Sequence, residues 1–378
     1  MSAASGRRLQ VLQLSHDYEG PFRALCRQYV QALADADVTT VFLCGAASDD
    51  VAREVGGREV IFLERPRRAM RGLKLSTLVL LHRLLRDRSI DLVVAQRYRP
   101  VYFTGILSRF LDIPEILAVT HEHGVYRARA RKRVIWYGKN ISLIGVSEAV
   151  SDDLERAVPG LRESGRLYTL PNSIDAEIAG LLDRSAARAQ LGLPDTGLVF
   201  GTIGRLIDKK EHHVLLDGFA GYCERGGEGD LVIVGDGPLA QPLRQQAARL
   251  GVDRRVHFAG RVDQAARLLC AFDAFVFASG EREAFGVVLL EAMCARLPVV
   301  CSRAAGPAEV VGDTALGFAP GNANELADRL LEIGEMSDEA RKAMGDAGRS
   351  RFERVFSVGE FRRRLLDLPP VRRAIEAL

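Results

Sequence analysis

Apolar residues in this chain fall into two alternating patterns: short unbroken runs, and longer stretches where they return every third or fourth position. Leu9–Leu14, Val38–Leu43, Val60–Leu63, Leu92–Ala95, Glu115–Val119, Leu143–Val146 and Leu167–Leu170 are runs of the first kind and predict buried β-strands. Between them, Phe22–Ala34 carries Leu25, Tyr29, Ala32 and Leu33 at helical spacing, and Leu75–Leu85, Tyr102–Phe110 and the stretch from Val150 also predict helices. A second series follows Gly192. Leu198–Ile203, Leu231–Val234, Val256–Ala259, Ala274–Ala278 and Val299–Cys301 read as strands; His213–Tyr222, the residues from Pro238 to Leu250, Ala265–Cys270 and the segment opened by Gly286 read as helices. Such alternation predicts an α/β protein with parallel sheets covered by helices on both faces. Two series joined near residues 175–195 predict two Rossmann-like, doubly wound domains, 1–175 and 176–356. The tail, with an Arg-rich amphipathic stretch at Phe356–Leu368, is expected to form a helix, residues 357–378, that returns as a strap across the junction to the first domain. In doubly wound sheets ligands bind beyond the carboxyl ends of the strands, and the polar and Gly-rich segments fall at those ends.

A chain of 378 residues suits two domains, and 47% hydrophobic with 27% charged residues suits a soluble globular protein. The net charge of +3 is too small to argue for nucleic acid, but its distribution is uneven. Residues 1–175 hold 26 Lys and Arg against 20 Asp and Glu, whereas the remainder is slightly acidic. The basic half either meets something anionic or is merely well solvated. The same two readings apply to its basic runs, Arg65-Pro66-Arg67-Arg68 with Arg71 and Lys74, and Arg127, Arg129, Arg131, Lys132 and Arg133. The first reading includes an anionic acceptor or an anionic inner-membrane surface. Tyr126, Trp136 and Tyr137 are too few to stack single-stranded bases. Cys26, Cys44, Cys223, Cys270, Cys294 and Cys301 show no metal-type spacing and read as thiols of a reducing compartment. No signal-like segment and no run of roughly 18 apolar residues is present, so a cytoplasmic protein, able to sit peripherally at the inner membrane, is expected.

The richest chemistry lies in the segment from Ser279 to Met293. Glu283 falls in a loop and Glu291 inside the helix that Gly286 opens, whose free N–H groups suit phosphate. At about 1.5 Å per residue, Glu291 lies roughly 7 Å past Gly286, the reach from a pyrophosphate to a ribose. Glu283, on the other side of the phosphates, suits a second sugar. Arg205 and Lys210 follow a strand and can grip a diphosphate, although a basic loop of this kind is often only solvated. His121 and His123 end another strand, where a histidine can address a sugar hydroxyl, move a proton or simply brace its loop. No third ligand by spacing supports a metal there. Asp35-Ala36-Asp37 has carboxylate spacing suited to a divalent ion but lies at the wrong end of the sheet; it reads as a turn, and Asp49-Asp50 as a loop. Gly235-Asp236-Gly237-Pro238 lacks the third glycine of a dinucleotide fingerprint and reads as a tight turn.

Taken in order, Gly204-Arg205-Leu206 with Lys210, Leu231 to Pro238, Val256 to Gly260, Glu283 to Glu291 and Leu297-Pro298-Val299-Val300 resemble the retaining glycosyltransferases of family 4, which have the GT-B fold. Pro171-Asn172-Ser173-Ile174-Asp175, Val146-Ser147-Glu148 and Thr120-His121 also resemble family positions. The resemblance implies two domains facing a central cleft and transfer of a sugar from a nucleotide-diphosphate donor, most readily a UDP-sugar, with no metal or other cofactor. It implies Arg205 and Lys210 on the diphosphate, Glu291 on the ribose, and Glu283 on the transferred sugar. Ala284, Phe285, Gly286 and Val287 would line the donor, Gly20 would approach its phosphates, and His121 would touch the sugar from the first domain. The Gln96-Arg97-Tyr98-Arg99-Pro100 segment is similar to members acting on cell-envelope glycans or glycolipids such as lipopolysaccharide core.

Three positions depart from the family pattern. Only Gly20 stands in the first loop where adjacent glycines are usual, Glu211 stands where Gly or Asn is common, and Arg296 replaces a usual Gly. Two other readings share the fold: a nucleotide-sugar epimerase or phosphorylase, which needs further bases or an orthophosphate site, and a non-catalytic sugar-nucleotide-binding protein, against which the intact charged set argues.

Overall fold

The computed structural model describes residues 7–70, 75–138, 140–177 and 180–378. The chain divides into two compact units, residues 1–173 with 358–378, and residues 174–357. The first begins β1 (Gln10–Ser15), α1 (Phe22–Ala32), β2 (Asp37–Phe42), α2 (Asp49–Val55), β3 (Glu59–Phe62), α3 (Leu75–Leu85) and β4 (Leu92–Gln96). It continues through α4 (Tyr98–Leu107), β5 (Glu115–Thr120), α5 (Arg129–Tyr137), β6 (Ile141–Gly145), α6 (Glu148–Ala157) and β7 (Leu167–Thr169). All pairings are parallel and the strand order is β3-β2-β1-β4-β5-β6-β7. The order reverses between β1 and β4, where two loops diverge and leave a crevice at the carboxyl edge.

Unit 2 repeats the plan. It comprises α7 (Arg184–Leu191), β8 (Val199–Ile203), α8 (His212–Glu224), β9 (Asp230–Val234), α9 (Ala240–Arg249), β10 (Val256–Gly260) and β11 (Ala274–Phe277). Then come α10 (Val287–Cys294), β12 (Val299–Ser302), α11 (Ala305–Val311), β13 (Leu316–Phe318), α12 (Ala323–Glu335) and α13 (Asp338–Val355). The order β10-β9-β8-β11-β12-β13 reverses between β8 and β11. Their successor loops, 204–211 and 278–286, are the segments rich in candidate chemistry. The α/β, doubly wound expectation therefore holds in both units.

Four expectations need correction. Asp49 and Asp50 are not loop residues but the first turn of α2, where Ser48 Oγ accepts from the Val51 N–H at 3.3 Å and the two carboxylates complement the helix dipole. The helix expected at Tyr102–Phe110 starts earlier, at Tyr98. The stretch at Ala265 is a 3₁₀ turn spanning Ala265–Ala271. The tail is two helices rather than one, α14 (Val358–Asp367) and α15 (Pro369–Glu376). Pro369 and Pro370 break the continuity: proline supplies no N–H and disfavours helical geometry in the residue before it. Both tail helices pack on unit 1. Phe361 meets Tyr29 edge-on at 5.1 Å, Arg362 donates to the Ala32 carbonyl at 2.6 Å and pairs with Asp35, and Arg373 holds Glu115 through two nitrogens. Asp37, at the amino end of β2, is held by Arg58 at 2.9 Å and by Arg8 at 3.7 Å, so this acidic pair serves surface ion pairing. Arg71 and Lys74 of the first basic run lie outside the described residues.

An arginine is enclosed in the interior of unit 2. Arg188 is fully buried and donates to the carbonyls of Ala271, Pro194 and Gly197 and to Asp273 Oδ2, at 2.8–3.0 Å. Asp273 Oδ2 also accepts from the Val199 N–H at 2.8 Å, so this guanidinium ties α7 and its exit loop to the start of β8. Removing it leaves the buried Ala271 carbonyl without this donor and takes one of two cations from Asp273, whose Oδ1 keeps Arg184 at 2.7 Å. Arg188→Met should lower unfolding stability by about 3 kcal/mol or more, measured by urea denaturation; a loss below 1 kcal/mol would show that the cluster is not a structural anchor.

Candidate functional site

The loop after β8 and the loop after β11 meet through side chains 73 positions apart. Lys210 Nζ lies 2.9 Å from Glu283 Oε2, with Lys209 Nζ at 3.7 Å from the same oxygen. The Lys210 and Glu283 side chains are only 15% and 8% exposed, so the pair is shielded from bulk water. Lys210 also stands over the Phe277 ring, 4.6 Å from its centroid, in a cation–π contact. The close approach to Oε2 is bent, and that oxygen has no well-aligned donor. Burial works to raise Glu283, but Lys210 and Lys209 outweigh it, so its carboxyl lies below the usual range. Burial likewise lowers Lys210, against the pull of Glu283. A buried ion pair of this sort gains little for stability over an apolar pair; its value lies in holding a charged acceptor and a charged donor ready beside one another.

Glycines set the scaffold at points of close approach. A Cβ on Gly235 would lie 1.8 Å from the Gly204 carbonyl oxygen, and one on Gly237 2.4 Å from that of Leu206. The Gly235–Pro238 turn therefore lies backbone to backbone against the Arg205 loop, joined by the Leu206 N–H to the Asp236 carbonyl at 3.0 Å. Gly286, with φ of 89°, caps α10 in the left-handed region, a conformation glycine adopts without strain. The first N–H groups of α10 thus follow directly on Glu283-Ala284-Phe285, as the sequence pattern predicts. Ala284 and Phe285 are buried, and Phe285 meets Phe356 edge-on at 5.9 Å. Arg205 is exposed on its loop, close enough to Lys210 for the two charges to interact.

Two of the departures from the family pattern have a conformational explanation. Glu211 and Arg296 both adopt left-handed backbone, with φ of 47° and 57°. A position that costs an ordinary residue roughly 1 kcal/mol is one where Gly or Asn is favoured. Glu211 fits closely enough that a Cβ on Gly280 would fall 2.1 Å from its Oε1.

Glu291 lies in the second turn of α10, half-buried and with no cationic partner. Burial alone pushes its carboxyl up to about 7. His212, also buried, is brought down to about 4 by burial and by Lys210. Among the described residues no three His, Cys, Asp or Glu side chains group as a metal site would require.

Gly20 and His121 belong to unit 1. Gly20 is exposed in the turn before α1, with φ of 59° and open space where a Cβ would be. His121 follows β5; its Nε2 lies 2.8 Å from Gln96 Oε1 and its ring meets Phe22 edge-on at 5.5 Å. Burial and then Arg97 bring it down to about 3, so the ring is neutral near pH 7. His123 Nε2 is buried without a hydrogen-bond partner. Sequence reasoning missed a set of charged residues around the unit 1 switch point. Arg99 Nη1 lies 2.9 Å from His16 Nε2, Arg97 Nη1 3.8 Å from Asp17, and the Arg97 guanidinium 4.4 Å from the Phe22 ring centroid. The clue was present in the polar residues directly after β1 and β4, once those strands are known to flank the reversal. Among the described residues no helix is long and apolar enough to cross a membrane.

The sequence matches the family described as "Glycosyl transferases group 1" over residues 183–351 and "Glycosyltransferase Family 4" over residues 24–178. It is 26% identical over 290 residues to the GDP-mannose-dependent monoacylated alpha-(1-6)-phosphatidylinositol monomannoside mannosyltransferase of Corynebacterium glutamicum, covering 72% of this chain and 74% of that protein. It is 33% identical over 178 residues to the lipopolysaccharide core biosynthesis glycosyltransferase LpsE of Rhizobium meliloti, covering 42% of this chain and 51% of that protein. The chain thus spans about half the length of the second relative. Among solved structures, HepE of Anabaena in complex with UDP and glucose superposes with a TM-score of 0.78 at 20% identity, over 98% of this chain and 100% of that one.

The isolated Glu291 carboxyl gives a pH-dependent outcome. Its folded-state value is raised, so it carries no penalty below the unfolded value of 4.5, and a penalty grows as pH climbs towards about 7. Glu291→Gln should therefore nearly match the parent protein at pH 4.5 and exceed its unfolding stability by about 3 kcal/mol at pH 8. Equal stability of the two proteins at both pH values, by urea denaturation, would show that Glu291 is not held in a desolvated site.

Proposed function

As the chain belongs to the family 4 glycosyltransferases, with the GT-B fold, we propose that it moves a sugar from a nucleotide-diphosphate donor to a hydroxyl of a cell-envelope glycan or glycolipid, with retention of anomeric configuration and without a metal. The observation that carries this reading is the Lys210–Glu283 pair, set beside Arg205 and the α10 N-terminus at the unit 2 switch point. A diphosphate arriving there offers Lys210 a doubly charged partner in place of Glu283. Lys210 and Arg205 then meet the charge that grows on the leaving diphosphate, aided by the first N–H groups of α10 around Gly286 and Val287. Glu283, relieved of its cation, has a carboxylate free to accept from hydroxyls of the transferred sugar. Glu291, one to two turns further along α10, accepts from the ribose hydroxyls. Gly20 and His121 are assigned to the donor's phosphates and the sugar from unit 1; a neutral His121 serves as a hydrogen-bonding group there rather than as a cation. With the diphosphate charge met by side chains and a helix, no metal is needed, and the departing phosphate accepts the acceptor's proton.

HepE, crystallised with UDP, supports a UDP-sugar as the donor, and the GDP-mannose-dependent relative makes a GDP-sugar the main competitor. LpsE and the phosphatidylinositol mannoside enzyme support an envelope glycan or glycolipid as the acceptor. Peripheral contact with an anionic membrane surface is supported by exposed Leu75, Val79 and Leu80 on α3 and by exposed Arg129, Arg131 and Arg133 on α5.

Thermal-shift titration with UDP, GDP and their sugars should identify one nucleotide class that stabilises the protein. Arg205→Ala should weaken binding of that nucleotide about tenfold or more, and an unchanged dissociation constant would remove Arg205 from the site. With the preferred donor, Glu283→Ala should lower transfer by about a hundredfold or more, with the product's anomeric configuration read by NMR. Transfer within a few-fold of the parent would refute the role of Glu283, and an inverted product would refute retention.

A further inference from the structure

The carboxyl edge of the unit 1 sheet carries an arginine cluster that the transfer reading leaves unused. Strand order sets the loops after β3, β2, β1 and β4 side by side. Arg65 and Arg67 arrive from one flank and Arg97 and Arg99 from the other, with His16 and Asp17 between. A cavity of about 390 Å³ opens on the Arg65 and Arg67 side, lined also by Asp17, Cys44 and Gly45 and by two further carboxylates, Glu19, which pairs with Arg67, and Glu64, which accepts from the Ala47 N–H at 2.9 Å. Cys44 lies on the wall of this cavity with Arg65 and Arg67, its Sγ is 4.0 Å from His16 Nδ1, and Arg99 reaches the other nitrogen of the same ring, so His16 and Cys44 link the two flanks.

Their charges are unequally cancelled. Arg67 is paired with Glu19, and Arg97 has Asp17 at 3.8 Å. Arg99 is different, because its partner at 2.9 Å is the Nε2 of His16. A guanidinium can only donate, so that nitrogen must accept and the ring must be neutral. Burial of His16 keeps it so. A neutral partner orients Arg99 and leaves its charge intact. Arg65 is similar: its Nη2 donates to the Ser76 hydroxyl at 2.8 Å, while its Nε is buried with no partner. Two arginines that are positioned but not neutralised, on opposite flanks of one loop, require an anion with several acceptor oxygens pointing in different directions. A phosphoryl group has that geometry; a carboxylate presents only two oxygens in one plane.

We propose that unit 1 contains a phosphoryl-binding subsite, with Arg99 and Arg65 as its donors and Arg97 and Arg67 as flanking charges, and that the acceptor bears a phosphate ester near its accepting sugar. The assignment of this ligand as the acceptor rests on the glycosyl-transfer reading; the anion site itself rests on the cluster. The phosphate can come from a sugar monoester or from the diester of a lipid headgroup, and the two are separable by experiment.

The test is calorimetric titration of the full chain, without donor, using glucose 6-phosphate as the monoester, glycerophosphoinositol as the diester, and glucose and myo-inositol as uncharged counterparts. At least one phosphate probe should bind tenfold or more tightly than its uncharged counterpart, and the better probe identifies the source. Arg99→Gln and, separately, Arg65→Gln should each weaken that probe tenfold or more. Arg99→Lys, which keeps the charge and loses the planar fork, should fall between. Thermal melting checks folding, and the second variant stands in should the first unfold. Phosphate probes binding no better than the uncharged compounds, or both Gln variants binding like the parent, would overturn the subsite and leave the transfer reading standing. Intact phosphate binding in a protein that transfers no sugar would overturn the transfer reading alone.

Discussion

Unit 2 is organised around an ion pair that water scarcely reaches. Desolvating Lys210 and Glu283 is costly, and their attraction returns little net stability. The pair persists because the scaffold over-determines it. Phe277 lies under the ammonium, and the Gly235–Pro238 turn fixes the Arg205–Lys210 loop through contacts that admit no side chain. Gly306 approaches the Glu283 and Ala284 carbonyls so closely that a Cβ there would lie 2.4 Å from the Ala284 oxygen. Each constraint positions a charge before any ligand is present, and pre-positioned charge is what lowers a barrier in which charge grows on a leaving group.

The two units share one topological plan and use it with different chemistry. Each reverses strand order after its first strand, and each places polar side chains where the loops diverge. In unit 2 a carboxylate is buried against ammonium groups beside a helix start. In unit 1 histidines are kept neutral, at about 4 for His16 and about 3 for His121, among arginines whose charge is only partly offset. A neutral imidazole among cations can accept from a guanidinium, as His16 does from Arg99, without cancelling its charge.

Much of this was legible from the chain alone, because alternating apolar runs and helical spacings are local and strong. The Gly286 cap, the helix carrying Glu291 and the loop carrying Glu283 follow from neighbouring residues. The Lys210–Glu283 contact does not, since only the adjacency of β8 and β11 brings the two loops together. The α2 helix was hidden because Asp49-Asp50 resembles a polar loop unless Ser48 is recognised as its cap. Arg97 and Arg99 were legible as a segment but not as part of a cluster with Arg65 and His16, whose loops leave other strands. Glu211 and Arg296 looked like simple departures from a pattern; their left-handed backbone supplies the reason the pattern favours smaller residues there.

The route of the chain through the two units constrains how it is made. Glu115 lies on β5 of unit 1, and the arginine that clasps it, Arg373, is 258 residues further on. Everything in unit 2 is translated in between as one continuous stretch. A nascent polypeptide can therefore complete unit 2 while unit 1 still lacks the tail helices that cover Tyr29 and α1. During that interval the ribosome carries one finished lobe and one with an uncovered apolar flank, which makes the earlier-synthesised lobe the later to mature.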